Sequence, residues 1–125
     1  MAGKTVLLVD DEAGLTAVLA KRLASRGLTV KTAASGEQGL ALLGEDPDIA
    51  LVVLDINMPG MDGLETLREA KALRPGLEAL ILTGYPSVEA ALEGLRLGAY
   101  ELLSKPIAIE DLYTRVTEAL AKAAH

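Results

Sequence analysis

The sequence predicts an α/β fold in which a doubly wound sheet of five parallel strands, in the order 2-1-3-4-5, carries five helices. Apolar runs that suit buried strands alternate five times with segments whose apolar residues have helical spacing. Such alternation favours a parallel sheet with helices on both faces, because crossover connections between parallel strands are right-handed. One predicted strand, residues 28–33, alternates apolar and polar residues and therefore belongs at an edge of the sheet.

The first half of the chain has the pattern β-α-β-α. Residues 5–10 form a short apolar run that ends in acids, and apolar residues at helical spacing follow it up to Gly27. After the edge strand at residues 28–33, Ser35 is a residue type that caps helices, and the short helix behind it ends near Asp46-Pro47.

The second half begins with the most apolar strand, which ends on Asp55 just before a Pro/Gly turn. Asp62 is the expected cap of the third helix, and residues 78–83 form the fourth strand. Pro86 and Ser87 open the fourth helix.

That fourth helix ends at Gly98, and a short fifth strand follows at residues 100–103. Lys105-Pro106 breaks this strand, and apolar residues at helical spacing from Ile109 mark a final helix that reaches nearly to His125.

The length of 125 residues predicts one domain over residues 1–125. Its core is expected to be aliphatic, because the only aromatic residues are three tyrosines. A formal net charge of −6 argues against direct contact with nucleic acid or anionic membrane. The longest apolar run, residues 49–54, is far shorter than the roughly 20 residues of a membrane span. The N-terminal segment does not resemble a signal peptide, so we expect a soluble cytoplasmic protein. With no cysteine, thiolate metal sites and cysteine nucleophiles are excluded.

Polar side chains stand where the predicted strands end: Asp10 and Asp11 after the first, Asp55 after the third, Thr83 at the end of the fourth, and Lys105 after the fifth. Each has an ordinary structural explanation when considered alone, but parallel strands bring all these ends to one rim of the sheet. Carboxylates about 5 Å apart repel by about 3 kcal/mol per pair at an effective dielectric of 20. The cluster therefore needs a cation, and an oxygen-only site suits Mg²⁺.

This set of groups is typical of phosphoryl transfer, which depends on positioning and charge neutralisation and can use a carboxylate as its nucleophile. Binding of a nucleotide or flavin is the weaker alternative. The first turn, DDEAG, lacks a glycine cradle and places acids where a bound phosphate would need helix N–H groups.

Over nearly its full length the chain resembles the receiver domain of two-component response regulators, the CheY-like superfamily with a flavodoxin-like fold. The matching residues are Asp10 and Asp11 after TVLLV, Asp55 in LDINMPGMDG, Thr83-Gly84, Tyr100 and Lys105-Pro106. The segment TGYPSVEAALEGLRLGAYELLSKP is most similar to receivers of the nitrogen-regulation activator type.

The resemblance implies that Asp55 accepts a phosphoryl group from the phosphohistidine of a sensor histidine kinase or a phosphotransfer protein. It implies that Asp11, Asp55 and the backbone carbonyl of Asn57 bind Mg²⁺, with Asp10 helping through water. Thr83 and Lys105 would contact the phosphoryl oxygens.

The resemblance also implies a switch in which Thr83 moves inward and Tyr100 fills the space that it leaves. This would change the face formed by the fourth helix, the fifth strand and the fifth helix, which receivers use for an output domain or a downstream protein. The mixed charges on this face allow a phosphorylation-dependent homodimer or a different partner equally well. The Lys105-Pro106 bond is expected to be cis.

Two other functions are weighed against this one. A phosphohydrolase with an aspartate nucleophile uses a second acid two residues later, but position 57 is Asn. A docking module that is never phosphorylated would lack Asp55, the acid pair or Lys105, and all of them are present. The lifetime of the phosphoryl group is predicted to depend on Asn57 and Tyr85, whose side chains would border the approach of the hydrolytic water.

Overall fold

The computed structural model describes residues 5–58, 62–84 and 87–123. The strands are β1 (Thr5–Val9), β2 (Thr29–Ala33), β3 (Ile49–Leu54), β4 (Glu78–Thr83) and β5 (Glu101–Ser104). The helices are α1 (Ala13–Ala24), α2 (Gly36–Glu45), α3 (Gly63–Leu73), α4 (Val88–Arg96) and α5 (Ile109–Ala123). All strand pairs are parallel in the order β2-β1-β3-β4-β5, so the predicted fold class and strand order are confirmed.

The sheet separates two apolar layers. Alternate residues of β1 divide between them: Leu7 and Val9 face the layer under α2, α3 and α4, whereas Val6 and Leu8 face the layer under α1 and α5. The inner strands β1, β3 and β4 are covered on both faces, which explains their nearly continuous apolar runs. Strand β2 is mostly exposed, as its alternating sequence predicts for an edge.

Side-chain caps begin three of the helices where the sequence predicts them. Ser35 accepts the backbone N–H of Gln38 at 3.1 Å, and Asp62 accepts that of Glu65 at 2.8 Å. Ser87 accepts the N–H of Ala90 at 3.0 Å, whereas Pro86, the other residue predicted to open α4, lies outside the described residues.

Strand β5 begins one residue later than predicted and includes Ser104. The parallel ladder pairs Leu80 with Glu101 and Thr83 with Ser104, so Tyr100 precedes the strand even though its N–H donates to the carbonyl of Ala79 at 2.7 Å. None of the five helices in the described part of the chain has the length and apolar character that a membrane span requires.

Helix α3 starts directly against the end of β3. A Cβ added to Gly63 would overlap the carbonyl oxygen of Asp55 and the Cα of Ile56, so only glycine allows this approach. The N–H of Gly63 also donates to the carbonyl of Ile56 at 3.3 Å. The backbone around Asp55 is therefore fixed from behind by the first turn of a helix.

The amino-terminal edge of the sheet is held by one guanidinium. Arg74, which ends α3, donates to the carbonyls of Leu43, Asp46 and Pro47 at 3.0, 3.2 and 3.4 Å, and also to that of Ile49. It therefore joins the end of α2, the α2–β3 connection and the start of β3 through backbone carbonyls.

Candidate functional site

The hydrogen-bond ladder of the sheet continues one residue beyond β1 and β3. This extension places two carboxylates at the carboxyl edge, the side of the sheet where the parallel strands end. The N–H of Asp10 donates to the carbonyl of Ala33 at 3.1 Å, and the N–H of Asp55 donates to the carbonyl of Val9 at 3.0 Å. Both side chains are buried, and only 6% of Asp55 is exposed.

The two aspartates are built into matching turns. Oδ1 of Asp10 accepts the N–H of Glu12 at 2.9 Å, and Oδ1 of Asp55 accepts the N–H of Asn57 at 3.0 Å. Each is an Asx turn, in which a carboxylate bonds the backbone two residues later. One oxygen of each carboxylate thus orders its own loop, and the Oδ2 oxygens face the ammonium of Lys105.

Lys105 joins these carboxylates. Its Nζ lies 2.6 Å from Oδ2 of Asp10, 2.9 Å from Oε1 of Glu12 and 3.4 Å from Oδ2 of Asp55. Burial lowers the pKa of Lys105, but the hydrogen bonds to Asp10 and Glu12 and the charge of Asp55 outweigh it and raise the pKa above the usual lysine range. The ammonium is therefore protonated at every pH at which the fold is expected to function.

Glu12 is the site residue that sequence reasoning missed. An acid in this position is common near the start of a helix, and the sequence holds no signal that distinguishes such a residue from a site residue. Its contact with Lys105 joins residues 93 positions apart in the chain, so it depends on the fold.

Three carboxylates form a pocket with the chemistry of a divalent cation site. Single oxygens of Asp10, Asp11 and Asp55 lie within 4.8 Å of one another. The donors are all hard oxygens, Asp55 is buried, and Asp11 is exposed. This arrangement fits Mg²⁺, which binds one or two carboxylates and keeps several of its waters.

Thr83 and Asn57 are brought into direct contact. Nδ2 of Asn57 donates to Oγ1 of Thr83 at 3.0 Å, and Thr83 is wholly buried. A role of the Asn57 side chain beside the hydrolytic water stays a prediction; in this structure its amide donates to the Thr83 hydroxyl. Tyr85, the other residue predicted to border that water, lies outside the described residues.

Tyr100 is not brought to Thr83. The partner of Thr83 on β5 is Ser104, four residues further along the chain, or roughly 13 Å at the usual strand rise. The Tyr100 ring packs against the α1–α5 layer, with Nζ of Lys122 5.4 Å from its centre. On β5, Leu102 is the side chain that packs into the layer under α4. The expected inward turn of Tyr100 beside Thr83 has no basis in this geometry.

A cavity of about 470 Å³ opens next to the carboxylates, between α1 and the β5–α5 loop. Glu12 and Lys105 form its polar rim, and its other lining residues are mainly apolar: Leu15, Leu19, Leu82, Gly84, Pro106 and Ile107. The Lys105-Pro106 peptide bond beside it is cis, as expected. The cavity gives an exterior molecule access to the Lys105 side of the pocket.

Helix α4 carries an exposed apolar stripe. Val88, Leu92 and Leu95 are 76%, 63% and 51% exposed, and their spacing of four and three residues puts them on one face. Large apolar side chains grouped on a surface mark interaction sites more often than isolated ones do.

Comparisons with known proteins identify the family of the chain. The family model described as the response regulator receiver domain matches residues 6–117. The transcriptional regulatory protein GlrR of Escherichia coli strain K12 is 37% identical over 119 residues, which are 95% of this chain and 27% of GlrR. A CheY-like receiver domain protein from Methanospirillum hungatei JF-1 has a solved structure that matches with a TM-score of 0.92 at 33% identity, covering 97% of this chain and 96% of that one.

A further relative, NtrC of Salmonella typhimurium strain LT2, is 38% identical over 117 residues, which are 93% of this chain and 24% of NtrC. This chain thus spans about a quarter of the length of its curated relatives. NtrC is named as a DNA-binding transcriptional regulator, so the relatives give no support to the expectation that nucleic acid is not contacted. The family model covers most of the sequence, and the chain belongs to the response regulator receiver domain family.

Proposed function

We propose that residues 1–125 form one receiver unit that works as a phosphorylation-activated signalling switch, with Asp55 as the phosphoacceptor. The observation that carries this proposal is the setting of Asp55: a buried carboxylate at a strand exit, 3.4 Å from a protonated lysine and grouped with two further acids. The domain promotes its own phosphorylation and dephosphorylation and is not a turnover enzyme.

The donor is the phosphohistidine of a sensor histidine kinase or a phosphotransfer protein. Oδ2 of Asp55 attacks phosphorus, the P–N bond to the imidazole breaks, and the imidazole nitrogen keeps the electron pair and takes up a proton. The product is an aspartyl phosphate. Lys105 faces the attacking oxygen and neutralises charge on the transferring group, and the Thr83 hydroxyl donates to a phosphoryl oxygen.

The donor set fits Mg²⁺ held by Asp11, Asp55 and the backbone carbonyl of Asn57, with Asp10 acting through a water. When bound, the ion would neutralise charge on the phosphoryl oxygens. Lys105 also compensates charge on the buried acids Asp10 and Asp55.

The output is a change in the face formed by α4, β5 and α5. Thr83 ends β4, the strand that precedes α4 in the chain, and α4 presents the apolar stripe of Val88, Leu92 and Leu95. An output domain or a downstream protein would bind there, since the curated relatives are transcriptional regulators about four times the length of this chain. A phosphorylation-dependent homodimer is a second use of the same face.

Mass spectrometry after incubation with acetyl phosphate and Mg²⁺ tests the proposal. The parent protein should gain one phosphoryl mass, and EDTA should suppress the gain. Asp55→Asn should not gain it, whereas Asp48→Asn, which changes an exposed aspartate at the opposite edge of the sheet, should behave like the parent. Equal labelling of Asp55→Asn, or labelling that is indifferent to EDTA, would show that the acceptor or the metal requirement is wrong.

A further inference from the structure

Asn57 forms hydrogen bonds with both Asp55 and Thr83, the two residues of the proposed switch. Its backbone N–H holds Oδ1 of Asp55 at 3.0 Å, and its side-chain amide holds Oγ1 of Thr83 at 3.0 Å. One residue therefore connects the phosphoacceptor on β3 with the buried hydroxyl at the end of β4.

The Thr83 hydroxyl has only one simple way to move. The Thr83 backbone is fixed in the ladder, where it pairs with Ser104 and its carbonyl accepts the N–H of Lys105 at 2.8 Å. The hydroxyl must therefore relocate by rotation about χ1, and a step between staggered wells moves Oγ1 by roughly 2 Å. Added to the present 3.0 Å separation, such a step away from Asn57 exceeds hydrogen-bonding range.

We infer that the side-chain amide of Asn57 is a positioning group that holds Thr83 in its resting rotamer, so that the phosphorylated state forms only when this bond is broken. The inference rests on the proposed function, because it concerns the same Thr83 hydroxyl. A bond made in only one of two states stabilises that state and shifts the balance by its own strength. Asn57 thus sets how readily the unphosphorylated protein visits the active arrangement.

The test is a titration of the protein with beryllofluoride, a phosphoryl mimic, in the presence of Mg²⁺ and followed by NMR. Removal of one hydrogen bond should raise the apparent affinity of Asn57→Ala for the mimic by roughly two- to tenfold over the parent. Resonances of α4 in the free variant should also lie closer to their mimic-bound positions. A purely structural loss at Asn57 would not move them in that direction.

Two controls make the result specific. Gln38→Ala removes another side-chain amide with a backbone partner, the N–H of Ala34, and should leave the titration unchanged. In a Thr83→Val background, Asn57→Ala should no longer move the free-state resonances, because the acceptor is already absent.

An unchanged or weaker affinity of Asn57→Ala overturns the inference; a weaker one would mean that the amide orients the hydroxyl in the phosphorylated state. If the parent itself gives no response to the mimic, the proposed function fails and the inference fails with it. The two failures are therefore distinguished by the parent titration alone.

Discussion

The two edges of the sheet are each organised around one cation, but the partners differ in kind. At the carboxyl edge Lys105 contacts the side-chain oxygens of Asp10, Glu12 and Asp55. At the amino edge Arg74 contacts four backbone carbonyls, including that of Ile49. Carboxylate side chains can rotate and exchange partners, whereas backbone carbonyls in a folded connection cannot.

Each cation has the geometry that its partners need. Lysine is a compact charge on a flexible stem and can follow a charge that moves, while the planar fork of arginine fits several fixed acceptors at once. We conclude that the contacts at the carboxyl edge can respond to a change of charge, whereas the contacts at the amino edge stay fixed. Substitutions at the first should alter chemistry more than stability, and substitutions at the second should do the reverse.

The largest effect is expected for Lys105→Met. Loss of the cation that faces Asp55 should slow phosphorylation by acetyl phosphate at least about 100-fold, close to 2.7 kcal/mol, the scale seen when one charge-stabilising donor is removed from an active site. Rates measured by intact mass, with the exposed Lys21→Met as control, check this. A rate within about threefold of the parent would contradict the role of Lys105.

Arg74→Lys should act on stability instead. An ammonium cannot reach four carbonyls, three of them in part-buried bonds. A buried acceptor left without a donor costs about 1–3 kcal/mol, so for these part-buried bonds together we expect a net loss of about 2–3 kcal/mol in the free energy of unfolding. Urea unfolding measures it, and Arg68→Lys on the exposed side of α3 should stay close to the parent. The phosphorylation rate should be unchanged. A slowed rate with normal stability would contradict the conclusion that the amino edge affects stability rather than chemistry.

Gly63→Ala examines the backbone support behind the carboxyl edge. The added Cβ would overlap the Asp55 carbonyl, and the shift of α3 that relieves it should cost about 1–2 kcal/mol, within the range for overpacking. Gly44→Ala in α2 has open space around it and should be neutral or stabilising. Urea unfolding of both variants gives the comparison, and equal stabilities would mean that α3 does not press on the site.

The smallest effect belongs to Asp46 at the amino edge. A hydrogen bond from Lys31 at 2.5 Å and one from the N–H of Asp48 hold the pKa of Asp46 below its ordinary value of 3.8. A lowered pKa stabilises the fold at neutral pH, and this contribution is lost as the pH falls through the folded-state value. The stability advantage of the parent over Asp46→Asn should therefore shrink below pH 3.8. Urea midpoints at several pH values measure it, and a constant difference would refute the assignment.

Local patterns in the sequence were enough to predict the strands, three helix caps and the grouping of Asp10, Asp55, Thr83 and Lys105, because strand ends in a parallel sheet share one edge. The sequence was insufficient where the outcome depends on tertiary geometry. The resemblance to receiver domains assigns Tyr100 to the switch, yet the ladder pairs Thr83 with Ser104, and Tyr100 lies before the start of β5.

Glu12 and Arg74 escaped prediction for a related reason. Their partners come from distant parts of the chain, and an exposed acid or a basic residue at a helix end is common without any such role. The Asn57–Thr83 bond likewise joins residues 26 positions apart, and nothing in either strand sequence indicates it.

The turn bond between Oδ1 of Asp55 and the N–H of Asn57 has a consequence for how a signal is stored. A phosphoryl group on Oδ2 would leave that bond in place, so Asp55 could be phosphorylated and dephosphorylated while its loop stays folded. The asparagine of an Asp55→Asn variant keeps an acceptor for the same N–H. This variant should therefore lose the phosphoacceptor and retain the structure of the loop.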